Sequence, residues 1–370
     1  MAKKFNPLVK FGFDATLEHS IISPGNIYIP NEVIATDWFN GENIYPLNEY
    51  SGVSIKAKNN VLYYHNTADN GTDGLWTFDY HGTLNAEFKN NMPTLDNEIW
   101  NLLIINDSVL LTGRFTGKII SLNLDGTINA NFTHNEIDDV VRTILVNNSH
   151  IAYYCAYGSI SRNVKLLDLQ GNLITTLAFP AGVTSADAIF SIGANVYVRG
   201  SINTYKFIFK YDLAGNLDTT FNTPGGSRNG AEMLRIKDKL YIQDANYLVR
   251  FNDDGSIDSS FINPFSSYPY YSVFDAKEDS LGRVYVAGYF FPPDWEQNGD
   301  INYGVMRLNS DLTIDESFKL DIRMPGYLWP EVNSLYLDES KNCLFIVGAY
   351  MGEPVMKFNL NGEKIMPLDL

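Results

Sequence analysis

Five histidines, two cysteines and a scatter of carboxylates are the residues that could do chemistry in this 370-residue chain. His19, His65, His81, His134 and His150 fall at turns, strand ends or in an N-terminal arm and share no motif, so they read as exposed polar turn residues. Cys155 and Cys343 stand far apart in apolar runs (IAYYCAY and CLFIVGA) and read as two buried thiols, with neither a disulfide framework nor metal-ligand spacing. Asp253, Asp254 and Asp258, and Asp125 with its neighbours, superficially suggest a calcium loop. The ligand series ending in a bidentate Glu is missing, and hairpin capping accounts for them without a metal. No nucleophile elbow, phosphate loop or zinc motif occurs. The expectation is no catalytic residue, no metal and no cofactor.

Aromatic side chains are the stronger candidates for recognition. Tyr268, Tyr270 and Tyr271 enter one late segment, Phe290, Phe291 and Trp295 lie in an apparent insertion (YFFPPDW), and Tyr327 and Trp329 enter the next segment. Aromatics in loops bind at little conformational cost and favour protein contacts and sugar rings. The competing reading is that they fold inward as plugs between enlarged repeat units.

The elements that position all of these come from one recurring sentence. FDYHGTLNAEF (from Phe78), LNLDGTINANF (from Leu122), LDLQGNLITTL (from Leu167), YDLAGNLDTTF (from Tyr211), FNDDGSIDSSF (from Phe251), LNSDLTIDESF (from Leu308) and FNLNGEKIMPL (from Phe358) make seven copies. Each opens with a large apolar residue followed by Asp or Asn, and six place Gly four residues after the opener. An Asx side chain that caps the backbone two residues on, together with a Gly at positive φ, spells a hairpin tip. The apolar residues two and six past the Gly share strand parity and are expected to face one core. Strands are expected at 53–57, 61–65, 75–79 and 83–88, then at 99–105, 109–112, 118–123 and 127–132, and so on in fours. The tips are spaced by 44, 45, 44, 40, 57 and 50 residues. Four strands in a period of this length predict an all-β fold, a seven-bladed β-propeller of four-stranded antiparallel blades over 50–370, with six or eight blades as the alternatives. Residues 1–49, broken by Pro24, Gly25, Pro30, Gly41 and Pro46, read as an extended N-terminal arm for anchoring or ring closure.

A net charge of −16 with no Lys/Arg stripe argues against nucleic acid and anionic membrane surfaces as partners. No run reaches the length of a membrane span, and Asn6, Pro7 and Lys10 break the N-terminus before an apolar signal core could form. The reading is a protein that acts in the cytoplasm or leaves it inside an assembled particle.

The apolar-Asx-x-Asp-Gly-x-Ile-Asp-x-x-Phe unit, with an upstream apolar strand ending in Gly as in Val284 to Gly288, resembles the delta-60 type repeat of β-propellers in bacterial surface and bacteriophage proteins. It covers about Val53 to Leu370, with departures at Leu312 and in LDLQGNLITTL, and implies a fold but no single chemistry. In the arm, Lys4-Phe5-Asn6-Pro7-Leu8 followed by Phe13-Asp14 is similar to the opening of many phage virion proteins, particularly tail and fibre components. Together they imply a non-enzymatic virion protein, made in the host bacterial cytoplasm. Phe5, Asn6, Pro7 and Leu8 would anchor it to other virion proteins, with homo-oligomers in the particle as an option. The propeller would present a face to a host-surface glycan or protein, or to another virion subunit. Two other classes remain open: a glycan-active lyase or hydrolase, recognisable by paired carboxylates or a His and a Tyr at one pocket, and a bacterial interaction scaffold.

Overall fold

Short runs of alternating apolar and polar residues, closed by Asx-rich turns, fold here as antiparallel strands. The computed structural model describes residues 9–10, 34–35, 53–66, 74–134, 136, 138–157, 163–202, 205–223, 232–244, 247–294, 303–322, 331–349 and 355–365. In the arm, β1 (Val9–Lys10) pairs with β2 (Ile34–Ala35). Seven further sheets follow, each an antiparallel meander in chain order. The first comprises β3 (Val53–Lys58), β4 (Val61–Asn66) and β5 (Gly74–Asp79), and the second β6 (Ile99–Ile105), β7 (Ser108–Gly113) and β8 (Ile119–Asn123). The third comprises β9 (Asp139–Val146), β10 (His150–Tyr157), β11 (Val164–Asp168) and β12 (Leu173–Thr176). The fourth comprises β13 (Val183–Ile192), β14 (Asn195–Ile202) and β15 (Tyr205–Tyr211), and the fifth β16 (Glu232–Ile236), β17 (Lys239–Asp244) and β18 (Tyr247–Arg250). The sixth comprises β19 (Tyr270–Glu278), β20 (Val284–Phe291), β21 (Tyr303–Leu308) and β22 (Ile314–Asp321), and the seventh β23 (Glu331–Asp338), β24 (Cys343–Ala349) and β25 (Met356–Phe358).

The chain divides into two compact units, one from 1–64, 76–85 and 267–370 and the other from 65–75 and 86–266. Within the first unit the seventh sheet is covered on both faces. Val332, Leu335, Leu344 and Ile346 pack against Tyr285, Val305 and Phe318 of the sixth sheet. On the other side Cys343, Phe345 and Val347 share a core with Ile55, Leu62 and Phe78 of the first sheet. Lys357 Nζ donates to the Tyr80 carbonyl at 3.1 Å, and Tyr80 donates its phenol proton to Asp338 at 3.0 Å, so polar bonds also tie the first sheet to the last. Within the second unit, sheets two and three, three and four, and four and five share apolar clusters in turn.

The tips form as the Asx-Gly chemistry predicts. Asp168 Oδ1 accepts the N–H groups of Gln170 and Asn172, and Asp212 does the same for Ala214 and Asn216. The tip glycines carry positive φ (Gly255 at +86°), and Leu312, standing where the others have Gly, adopts φ +70°. The glycines also make room for a neighbour. A Cβ on Gly126 would lie 2.3 Å from the Phe88 carbonyl oxygen, and one on Gly255 would meet the backbone of Asn222, whose N–H donates to the Asp254 carbonyl at 2.8 Å. The tail of one copy thus rests on the tip of the next.

Two expectations are corrected. Among the described residues the fourth strand is complete in sheets three and six and is one bridge in the other five, as between Leu122 and Ile128 or Phe251 and Ile257. At three of these bridges the Asx residue just after it, Asn129, Asp218 or Asp258, accepts the N–H two residues on where the ladder stops, although Asp315 makes the same bond within the complete strand of sheet six. In the first copy the predicted strand 83–88 instead gives way to α1 (Ala86–Asn91). The turn also breaks the expected parity. The position two past the Gly is exposed at Ile128, Leu173 and Ile257, whereas the closing residues Phe88, Leu177, Phe221 and Phe318 are buried.

His65 is a third correction, since β4 carries it into the interior at 2 % exposure. Burial lowers its pKa to about 4, only partly offset by a hydrogen bond with the Ile99 backbone, and Nε2 has no partner among the described residues. With the folded pKa below the unfolded 6.5, stability is full above pH 6.5 and falls by roughly 3 kcal/mol as pH drops toward 4. Urea unfolding of wild type and His65→Leu at pH 7 and pH 5 should show that the variant loses much of this acid sensitivity; equal losses in both chains would refute the assignment.

Candidate functional site

The aromatic candidates divide. Tyr268, Tyr271, Phe290 and Phe291 are buried, so the inward-packed reading replaces the binding one for these four. The apparent insertion is in part a continuation of β20, which is covered on both faces and has partner strands on both sides. Tyr270 is 50 % exposed and stacks edge-on against Phe291 at 6.4 Å. Trp295, Tyr327, Trp329 and the arm residues Phe5, Asn6, Pro7 and Leu8 lie outside the described residues.

The chemistry-bearing cluster lies elsewhere, and the repeat itself shows why it is unusual. In four sheets a ring on the second strand faces a cation on the third: Tyr197–Lys210, Tyr241–Arg250, Tyr285–Arg307 and Phe345–Lys357. In the first three of these an Asp of the tail pairs with the cation (Asp218, Asp258, Asp315), and the closing Phe lies under it, Phe318 at 4.6 Å from the Arg307 guanidinium. One residue further along, on the opposite face, the pairs are apolar: Leu111–Ile120, Val198–Phe209, Ile242–Val249, Val286–Met306 and Ile346–Met356. The third sheet reverses this. Ala152–Leu166 takes the polar register and Tyr153–Lys165 the apolar one.

Around Tyr153 a network closes. Its hydroxyl donates to Glu136 Oε2 at 2.6 Å, Lys165 Nζ donates to the same oxygen at 2.6 Å, and His134 Nε2 lies 2.8 Å from the hydroxyl. His134 reaches the site because its own backbone rests on the Gly171 tip. Burial, reinforced by Glu136, raises the Tyr153 pKa, and burial lowers that of His134 against the pull of Glu136. Burial, then the Glu136 carboxylate, pushes the Cys155 thiol up to about 12. Tyr153 is fully buried, so the phenol is a held proton donor rather than an exposed acid. None of Glu136, Tyr153 and Lys165 stands out by motif. The available signal was the repeat: two residues before the opener stand Trp76, Ile120, Phe209, Val249, Met306 and Met356 in the other copies, and Lys165 in this one.

With this geometry in view, comparison places the repeat. Residues 242–261 and 282–318 match a domain of unknown function of beta-propeller type (DUF5122), and both segments end on a closing phenylalanine, Phe261 and Phe318. The described residues are almost all β, and the repeat is of the β-propeller type. No curated protein matches it. Among solved structures it is similar to the extracellular domain of a protein described as a hybrid two component system of B. thetaiotaomicron (14 % identity, TM-score 0.54), over 85 % of this chain and 39 % of that one. It is also similar to a prolyl endopeptidase (10 % identity, TM-score 0.53), over 86 % of this chain and 50 % of that one. The chain therefore spans half or less of the length of these two structures, and at such identities the likeness speaks to fold alone.

Proposed function

We propose that the seven sheets are the blades of one seven-bladed propeller, and that the chain works by binding rather than catalysis, as a structural component of a phage tail or fibre. The shared core of the first and seventh sheets supports the propeller, since a ring needs its chain ends to meet. Negative-stain images of the purified chain should show seven-lobed discs; open or stacked arrays would refute this. The binding role is supported by one observation: the most reactive-looking cluster among the described residues holds its tyrosine fully buried, with the hydroxyl committed to Glu136. Placement in a virion rests on the Phe-Asn-Pro opening and the repeat resemblance. Deleting residues 1–20 should leave a folded chain that no longer enters particles, and normal incorporation of the truncated chain would remove the anchoring role.

A glycan-active enzyme is the second reading, favoured by the contact between His134, Tyr153 and Glu136. Cleavage of host-surface polysaccharide by the wild type, lost in Tyr153→Phe, would put it ahead.

A further inference from the structure

The Tyr153 network does not use everything around it. Ligand atoms of Glu136, Asp138 and Cys155 all lie within 4.8 Å of one another. The Cys155 thiol is 3 % exposed, has no hydrogen-bond partner among the described residues, and lies within 4.8 Å of an oxygen of each of the two carboxylates. The strand is shaped for this: β10 loses register on both sides of Cys155, and such bulges re-aim a side chain. Both Glu136 oxygens accept hydrogen bonds. Oε2 takes the Tyr153 and Lys165 protons, while Oε1 has the Asp138 N–H at 3.5 Å.

We propose that Glu136, Asp138 and Cys155 form a divalent-cation site suited to zinc, completed by water. A thiolate with two carboxylates is a soft and hard mixture that zinc accepts and that calcium or magnesium does not. Charge agrees: three anionic ligands against Lys165 and a dication sum to zero. Asp139 next door does not compete, being paired with Lys118 at 2.7 Å. Tyr153 and Lys165 take the usual place of groups that hydrogen-bond a ligating carboxylate and hold it in position. His134 is committed to Tyr153 and to a hydrogen bond with the Gly171 backbone, and so is not counted as a ligand. Zinc bonds of about 2.0–2.3 Å require the ligands to approach by on the order of 1 Å, which the partly exposed Asp138 side chain can supply by rotation. Cys155 binds as thiolate, so its proton passes to the buffer as the ion enters.

The test uses the full chain, stripped with a chelator and titrated with Zn²⁺ and, for its spectrum, Co²⁺. One ion should bind per chain, and cobalt should show a thiolate charge-transfer band in the near ultraviolet. Asp138→Asn should weaken zinc binding at least tenfold and abolish the zinc-induced rise in Tm, Cys155→Ser should lose the band, and Cys343→Ser should keep both. Should Cys155→Ser fail to fold, Asp138→Asn decides, because that side chain reaches the surface. No band in the wild type, or zinc affinity unchanged in Asp138→Asn, would overturn the proposal in favour of an adventitious surface ion.

Discussion

Gly288→Ala should cost more than about 4 kcal/mol, a large share of the roughly 5–15 kcal/mol that holds a protein of this kind together. A Cβ at Gly288 would lie 1.8 Å from the Ser272 carbonyl oxygen, deep inside any allowed contact. The cause is a bulge: β19 changes register between Val273 and Asp275, and the carbonyl just before it swings over the partner strand, where only a hydrogen fits. The device recurs at Gly113 under the Glu98 carbonyl and at Gly348 under the Glu331 carbonyl. Both neighbours are backbone and cannot rotate away, so relief requires the sheet to shift. Gly117→Ala is the control. Nothing lies within 4 Å of its Cβ, and only the strain of φ +89° remains, about 1 kcal/mol. Urea unfolding of the two variants should therefore separate them widely. A Gly288→Ala chain within 1 kcal/mol of wild type would mean that the bulge does not form.

Glu136→Ala should be the second most damaging change, near 3 kcal/mol. Removing one partner of a buried ion pair strands the other, at a cost of about 3–5 kcal/mol. The Lys165 side chain keeps 23 % of its surface in water, which places the loss at the low end. Tyr153 would lose its acceptor as well. The comparison between sheets supplies the rescue. Five sheets carry an apolar pair at this register, so Tyr153→Val with Lys165→Met and Glu136→Leu rebuilds what the repeat normally has. The triple variant should recover to within about 1 kcal/mol of wild type, because an apolar replacement avoids desolvating both charges. Equal destabilisation of the single and the triple variants in denaturant unfolding would show that the cluster is held by something other than this pairing.

Much of the architecture was legible because it is written seven times. The apolar-Asx openers became third-strand ends and the tip residues took positive φ, Leu312 included. Strand 99–105 formed at the predicted bounds. Failures came where one local rule overrode another. At three of the five single bridges the Asx residue that follows (Asn129, Asp218, Asp258) was read as part of an alternating strand, but the ladder stops there and its side chain caps the N–H two residues on. Exposure was misjudged where polarity or loop-like composition was taken as a guide: His65 and Phe290 are both buried.

By itself, then, the amino-acid order determined the repeat, its tip chemistry and the strand-rich character of the chain, because these depend on interactions within about a dozen residues. Only the tertiary structure decided which residues meet across strands and between sheets. Glu136 and Lys165 are 29 residues apart and meet at 2.6 Å, beside a strand pair that keeps the register of the other sheets but sets Tyr153 and Lys165 where those have apolar pairs. Register decides which residues of two strands face each other, and Glu136, outside any strand, reaches Lys165 only through the tertiary fold.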